Sequence, residues 1–152
     1  MPLASIEHLR PAGGMRFFFY GTLMDADVLA AVVGRRIGSA RFQDAILDGF
    51  RRVYRRGASY PILLDDPDGQ VDGVVVSALT AADAVRLDAF EGSEYRRAAR
   101  TVAVAGKGTA EVQVYLTNPG VPASKQPWDF EGWRRHRAAY LRRVRRSGSP
   151  RS

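Results

Sequence analysis

The sequence contains no cysteine and only two histidines, His8 and His136. Without cysteine the chain has no disulfide, no thiol nucleophile and no thiolate metal ligand. The two histidines lie near opposite ends of the chain, which argues against a two-histidine metal site and against a Ser-His-Asp triad. We therefore expect no metal centre, and the lack of cysteine fits a cytoplasmic protein.

Long apolar runs are also missing, since none approaches the roughly 18 residues that span a membrane. The first segment, MPLASIEHLRPAGG at residues 1–14, lacks the continuous apolar stretch of a signal peptide, which argues against export. We predict that this segment is a flexible extension. The composition of the 152-residue chain, 45% hydrophobic and 26% charged, is that of one globular domain with a sizeable core.

Acidic residues are absent from the last part of the chain, where eight arginines lie between positions 134 and 151. With these eight removed from the 23 basic residues, 15 remain against 16 acidic ones. The body of the protein is thus close to neutral, and its net charge of +7 comes from one C-terminal segment. This distribution argues against a broadly basic surface for nucleic acid.

Hydrophobic spacing predicts short strands interspersed with three helices. The strands are expected at residues 15–20, 42–54, 60–64, 71–79, 97–105 and 110–116. A turn at DDPDGQ (65–70) would join the two strands on either side of it into a hairpin. The proline-rich segment 118–127 is expected to be a loop.

Capping signals define the three helices. Asp25 is a good N-cap for the first, and Gly34 is placed to end it. Thr80 and Asp83 have the spacing of a capping box for the second, which Gly92 ends. Asp129 caps the last helix, whose inner stripe is Phe130, Trp133, Arg137, Tyr140, Leu141 and Val144.

These elements predict an α+β fold, a small mixed or antiparallel β-barrel with flanking helices. The expected organisation is an extension at residues 1–14, a domain at 15–145 and a disordered basic tail at 146–152.

The first strand ends in Tyr20-Gly21-Thr22-Leu23, directly before a helix. Backbone N–H groups at such a junction, together with the helix dipole, can bind a carboxylate or phosphate. An ordinary βα turn, in which glycine only relieves a tight bend, explains the motif equally well. The longer phosphate-binding patterns GxxxxGKS and GxGxxG are both absent.

Glu91 shares a helix face with Ala84 and Leu87, which should point inward. It also falls in the last helical turn, where the negative end of the dipole disfavours a carboxylate. Partial burial and the dipole would both raise its pKa towards the range of a general acid or base. The alternative is a helix-end glutamate bonded to nearby backbone.

Other polar groups near Glu91 are weaker candidates. Asp88 lies off the inner face, and Glu94 is expected to form an ion pair with the adjacent Arg96 and Arg97. Tyr95 and Tyr115 lie on or beside the strands that follow and could turn their hydroxyls into a pocket, although such tyrosines are more often core residues.

In order and spacing, the segments FFFYGTLMDADVL, SYPILLDD, LDAFEGSEYRR, VQVYL and WDFEGW resemble the γ-glutamylcyclotransferase-like family. The closest likeness is to its branch named after plant avirulence-induced genes, which has many bacterial members. The resemblance covers residues 15–141. It implies a small β-barrel with flanking helices and a cavity between the YGTL loop and the glutamate of FEG.

By motif position, the resemblance implies that Tyr20, Gly21, Thr22 and Leu23 hold a γ-glutamyl group, with Glu91 as general acid/base. Tyr95, and more loosely Tyr115, would line the pocket. The activity implied is release of 5-oxoproline from a small-molecule γ-glutamyl amine or peptide, without metal or cofactor. The substrate's own amine attacks its γ-carbonyl, so no nucleophile from the enzyme is needed.

Two alternatives stay open. The domain could be a binding module that keeps the pocket for a small carboxylate without turnover, or an interaction protein that binds nucleic acid through its basic C-terminal helix. The group attached to the γ-glutamyl moiety is also open, with amino acid, polyamine, lysine isopeptide and glutathione among the candidates. The sequence says nothing about oligomeric state.

Overall fold

The computed structural model describes residues 14–147. Its strands are β1 (Met15–Phe19), β2 (Phe42–Arg55), β3 (Pro61–Leu79), β4 (Tyr95–Val104), β5 (Gly108–Thr117) and β6 (Ala123–Pro127). Its α-helices are α1 (Ala26–Val33), α2 (Ala81–Glu91), α3 (Phe130–Arg134) and α4 (Arg137–Ser147). Apart from Gly14 and the last two residues of α4, the predicted extension and tail lie outside the described residues.

Five strands form a closed ring in the order β3-β1-β5-β4-β2, because β2 also pairs with β3. β6 pairs with β2 and lies outside the ring. Only β1 and β5 are parallel among the described strands; every other pairing is antiparallel. The predicted α+β fold, with a mixed and largely antiparallel sheet and flanking helices, is confirmed.

The aromatic run of β1 is explained by the burial of side chains on both faces of the strand. Phe18 and Tyr20 belong to a cluster of side chains drawn from all five ring strands, whereas Phe17 and Phe19 belong to the cluster that packs under the helices. All four are almost completely buried. Successive side chains of a strand point to opposite faces, so a continuous apolar run is what a doubly covered strand requires.

The predicted hairpin around DDPDGQ is wrong. Residues 61–64 and 71–79 belong to one long strand, β3, and both pair with β2. The register moves from Asp65 opposite Phe50 to Gln70 opposite Asp48, so DDPDGQ forms a bulge in β3. The turn residues do cause a local excursion, but the 14-residue β2 is long enough to pair on both sides of it.

Two further elements differ from the sequence prediction. The last helix is two helices, because the helical hydrogen bonding is interrupted between Arg134 and Arg137. The segment predicted as a loop at 118–127 contains β6, whose Ala123 and Pro127 pair with β2. No helix within residues 14–147 is long and apolar enough to cross a membrane.

Candidate active site

One end of β1 opens into a cavity of about 410 Å³, part of which is open to solvent. All seven residues singled out from the sequence line it: Tyr20, Gly21, Thr22, Leu23, Glu91, Tyr95 and Tyr115. The lining also includes Phe18, Phe19, Tyr60, Pro61 and Tyr140. The structure therefore brings the YGTL loop and the carboxyl of Glu91 together, although about 70 residues separate them in the chain.

The YGTL loop forms a tight turn against β3. A short 3-10 turn, Thr22–Met24, follows Gly21, and the first amides of such a turn have no acceptor within it. A Cβ added at Gly21 would lie 2.9 Å from Cγ and 3.1 Å from Cδ of Pro61. Glycine is therefore needed here because the loop backbone lies against the Pro61 ring, not because of a left-handed φ.

Glu91 is the last residue of α2 and is half-buried. The predicted capping box holds the other end of this helix, with the Thr80 hydroxyl accepting from the Asp83 amide and the Asp83 carboxylate accepting from the Thr80 amide. Gly92 ends the helix at φ +74, a conformation that favours glycine. The Gly92 turn directs the chain into β4 and leaves Glu91 at the cavity.

The tyrosine hydroxyls are held mostly by the scaffold. Tyr20 donates to the carbonyl of Tyr115 at 2.5 Å, Tyr95 to the carbonyl of Pro61 at 2.6 Å, and Tyr115 to the carboxylate of Asp88 at 2.6 Å. The sequence suggested that the hydroxyls of Tyr95 and Tyr115 could point into the pocket. In the structure both are instead held by hydrogen bonds, to Pro61 and to Asp88. Both residues contribute rigid walls to the cavity.

Burial raises the pKa of four of these phenols, at Tyr20, Tyr95, Tyr115 and Tyr140. The negative charge of Glu91, which lines the same cavity, adds to the rise at each of them. The four phenols therefore stay neutral, and Glu91 is the one charged side chain among the lining residues that the structure describes.

The two other carboxylates near Glu91 are engaged elsewhere. Asp88 pairs with Arg97, and its hydrogen bonds from Arg97 and Tyr115 outweigh burial and lower its pKa. Glu94 was expected to pair with Arg96 or Arg97, and this expectation is wrong. Glu94 instead accepts two hydrogen bonds from Arg55 of β2, at 3.0 and 2.5 Å, and one from the hydroxyl of Tyr60 at 3.1 Å.

Tyr60 and Tyr140 were not identified as site residues from the sequence. The Tyr140 hydroxyl lies 2.8 Å from the hydroxyl of Thr22, so α4 closes one side of the cavity. Arg137, one turn earlier, binds both carboxylate oxygens of Asp25 at 2.9 Å and so anchors α4 to the cap of α1. Tyr140 belongs to the inner stripe of its helix. An aromatic residue at such a position can be a pocket wall or a core residue, and no local sequence feature distinguishes the two.

Within residues 14–147 no group of three or more histidine, aspartate or glutamate side chains is arranged to hold a metal ion. The arrangement instead combines one carboxylate, neutral aromatic walls and a turn that begins with backbone amides. Such a site can bind a small molecule with both an ammonium and a carboxylate group, and can move a proton at the carboxylate.

Comparison with known proteins gives consistent matches. Residues 17–135 match the model of a family described as gamma-glutamyl cyclotransferase, AIG2-like. AIG2-like protein C of Arabidopsis thaliana is 36% identical over 123 residues, which cover 78% of this chain and 69% of the relative. AIG2-like protein A of the same plant is 32% identical over 129 residues, covering 82% and 75%.

Solved structures agree with the architecture. A solution structure of an Arabidopsis thaliana protein has a TM-score of 0.62 and 27% identity, covering 86% of this chain and 87% of that one. A structure named gamma-glutamyl cyclotransferase has a TM-score of 0.58 and 20% identity, covering 68% and 66%. At that identity the second match shows the shared fold alone.

Proposed function

The chain belongs to the gamma-glutamyl cyclotransferase, AIG2-like family, and from this premise we propose that it cyclises a γ-glutamyl amide to 5-oxoproline and a free amine. The observation that carries the proposal is the position of Glu91. A single carboxylate lines a cavity that is otherwise neutral and that the YGTL turn also lines. The description of the matching family, gamma-glutamyl cyclotransferase, AIG2-like, is consistent with this proposal.

The γ-glutamyl group fits this site by charge. Its α-ammonium pairs with Glu91, and its α-carboxylate accepts hydrogen bonds from the amides at the start of the Thr22–Met24 turn. The aromatic walls, including Tyr20 and Tyr95, enclose the methylene chain. The reaction requires the substrate to fold back so that its amine lies over its own γ-carbonyl carbon, and confinement of the methylene chain between these walls favours that proximity.

In the proposed reaction Glu91 takes a proton from the α-ammonium, and the freed amine attacks the γ-carbonyl carbon. A carbon–nitrogen bond forms, and the carbonyl oxygen becomes an oxyanion that nearby N–H groups stabilise. The intermediate collapses and the original amide bond breaks as Glu91 returns its proton to the departing nitrogen. The attacking nitrogen must lose a second proton to become the lactam N–H, and this proton also passes through the Glu91 carboxylate to the released amine, which leaves as an ammonium. No electron is transferred and no water is consumed, so the residues present suffice for every step.

Glu91 is a better candidate than the neighbouring carboxylates because it lines the cavity, whereas neither Asp88 nor Glu94 is among the described lining residues. Asp88 has a pKa lowered by hydrogen bonds from Arg97 and Tyr115, although burial opposes this, and a lowered pKa weakens a base. Glu94 is held by Arg55 and Tyr60 and is not among the cavity-lining residues that the structure describes.

The test is Glu91→Gln, which keeps the size and hydrogen-bonding capacity of the side chain but cannot accept the proton. We expect 5-oxoproline release from γ-glutamyl amides to fall by at least about 100-fold, the usual contribution of a positioned acid/base. Thermal unfolding should stay near that of the wild type. Glu111→Gln, at an exposed glutamate of β5, is the matched control and should retain full activity.

Full activity in Glu91→Gln would contradict the assignment. Binding of γ-glutamyl compounds without any turnover by the wild-type protein would favour the binding-module alternative. Salt-sensitive binding of nucleic acid that disappears when residues after 141 are removed would favour the interaction-protein alternative.

A further inference from the structure

A largely buried arginine of β2, Arg52, reaches the loop that lines the cavity. Only 11% of its side chain is exposed. Its Nη1 donates to the main-chain carbonyl of Tyr20 at 2.7 Å, directly before Gly21 of the YGTL loop. This carbonyl therefore lies against a full positive charge, and a hydrogen bond from a charged donor is stronger than one between neutral groups.

The Tyr20 carbonyl lies where the pairing of β1 stops. The ladder between β1 and β3 ends at the pair of Phe19 with Val74, so Tyr20 lies one residue beyond it. A buried carbonyl past the end of a ladder requires another donor, and Arg52 supplies one. The same Nη1 donates to the carbonyl of Asp72 in β3 at 2.8 Å. One guanidinium thus joins β2 and β3 to the end of β1.

Two further contacts fix the guanidinium in place. Its Nη2 donates to the carboxylate of Asp72 at 2.8 Å, and its central carbon lies 5.3 Å from the centre of the Trp128 ring. Trp128 is buried and donates from its own Nε1 to the carbonyl of Ser59 at 2.9 Å. Since both partners hold the guanidinium, Arg52 in turn holds the Tyr20 carbonyl in one orientation.

A fixed carbonyl also fixes the amide at the other end of the same peptide unit. The peptide bond between Tyr20 and Gly21 is trans, and a trans peptide directs its C=O and N–H to opposite sides. Gly21 lines the cavity, whereas Arg52 is not among the described lining residues. The Gly21 N–H is therefore directed away from Arg52, and polarisation of the carbonyl by the cation makes this N–H a stronger donor.

We propose that Arg52 is a positioning residue, which holds the Tyr20–Gly21 peptide so that the Gly21 N–H, together with the amides of the following turn, binds the α-carboxylate of the γ-glutamyl group. This inference rests on the proposed function. Arg52 acts through the peptide and not by contact with the substrate. Loss of the guanidinium frees the peptide to rotate, so it weakens the hold on the α-carboxylate and leaves the Glu91 side of the site in place.

The experiment compares γ-glutamylethylamide with the ethylamide of γ-aminobutyric acid, which has the same amine and scissile amide but lacks the α-carboxylate. In Arg52→Gln we expect kcat/KM for γ-glutamylethylamide to fall roughly tenfold, mainly through a higher KM, the effect of one charge-assisted contact. The value for the second compound should not change, because it has no carboxylate to bind. Arg52→Lys should restore part of the loss, since lysine provides a cation without the planar fork.

Arg51→Gln, at the adjacent exposed arginine of β2, is the matched control and should leave both values unchanged. A merely structural role for Arg52 would lower kcat/KM for both compounds by the same factor. That result would overturn the inference, and so would wild-type values in Arg52→Gln. If Arg52→Gln does not fold, Arg52→Lys carries the comparison: a loss confined to γ-glutamylethylamide supports the inference, and an equal loss or no loss overturns it.

Binding measurements separate this inference from the proposed function. 5-Oxoproline and γ-butyrolactam differ by the same carboxylate, and neither has an amide that the enzyme would cyclise. In NMR titrations Arg52→Gln should bind 5-oxoproline roughly tenfold more weakly than the wild type and γ-butyrolactam equally well. That result supports the inference even if the wild type releases no 5-oxoproline from γ-glutamyl amides, which would contradict the proposed function alone. Turnover by the wild type with equal 5-oxoproline affinities of the two proteins would overturn the inference alone.

Discussion

The side-chain oxygens of Thr22 and Tyr140 lie 2.8 Å apart, although 118 positions separate them in the chain. Both side chains are buried, and this contact joins the C-terminal helix α4 to the turn after β1. The cavity wall on this side thus depends on a hydrogen bond between the two ends of the domain. This makes α4 part of the candidate site and not only a cover for the core.

The first prediction concerns this hydrogen bond. Thr22→Val and Tyr140→Phe should each lower the free energy of unfolding by about 1 kcal/mol, because each removes one buried hydrogen bond. The double variant should lose less than the sum of the two, since the second change has no bond left to break. Urea denaturation of the four proteins measures the coupling. Strictly additive losses would show that the two hydroxyls do not stabilise each other.

The second prediction concerns the close approach of Gly21 to Pro61. In Gly21→Ala the new methyl group would contact Pro61, whose carbonyl accepts the hydrogen bond from Tyr95. We expect about 1–3 kcal/mol of destabilisation, as for other overpacked sites, and a loss of 5-oxoproline release of at least about tenfold because the cavity wall moves.

The matched control for this variant is Gly38→Ala. Nothing lies within 4 Å of a Cβ built at Gly38, and its φ of −63° suits any residue. The control should keep its activity and lose no stability. Wild-type kinetics in Gly21→Ala would mean that the contact with Pro61 does not shape the site.

The third prediction concerns the anchor of α4. Arg137 binds the carboxylate of Asp25, which also caps α1, and lies 3.0 Å from a carboxylate oxygen of Asp27. Arg137→Gln leaves the buried Asp25 without its cation, so we expect the melting temperature to fall by several degrees. The KM should rise as well, because Tyr140 is carried by the same helix. Arg145→Gln, at an exposed residue of α4, should change neither quantity.

Local signals in the sequence predicted the parts of the fold that depend on neighbours in the chain. The caps at Asp25, Thr80 and Asp129 and the helix ends at Gly34 and Gly92 were identified correctly, because a cap bonds to amides two or three residues away. The aromatic run at β1 was also assigned correctly as a strand. The side chains of this strand are buried in two separate clusters, one formed by the ring strands and one under the helices. This division depends on the closure of the five-stranded ring and could not be predicted from the sequence.

The errors concern elements whose partners are distant in the chain. DDPDGQ has strong turn propensity, yet pairing with the whole of β2 keeps both flanking segments in one strand. Glu94 pairs with Arg55, 39 positions away, and not with its neighbours in sequence. Tyr60 and Tyr140 reach the cavity through tertiary packing alone, so no local pattern separates them from ordinary core tyrosines.

The last prediction concerns Asp83, which has no exposed side-chain surface and receives two hydrogen bonds from Arg35 at 2.5 and 2.9 Å. The Arg35 guanidinium is the main cause that lowers the pKa of Asp83 from 3.8 to about 2; burial opposes it, and the capping box adds to the lowering. A lowered pKa means that the unfolded chain binds the proton more tightly than the folded protein does. The associated stabilisation is therefore complete above about pH 4 and is lost as the pH falls towards 2.

The size of this contribution is about 2 kcal/mol at neutral pH, with allowance for the partial exposure of Arg35. We expect Asp83→Asn to be less stable than the wild type by about that amount at pH 7, and the difference to shrink progressively between pH 4 and pH 2. Urea denaturation across this range measures it. Asp68→Asn, in the exposed bulge of β3, is the control and should match the wild type at pH 7. A difference that stays constant down to pH 2 would show that the carboxylate charge of Asp83 does not stabilise the fold.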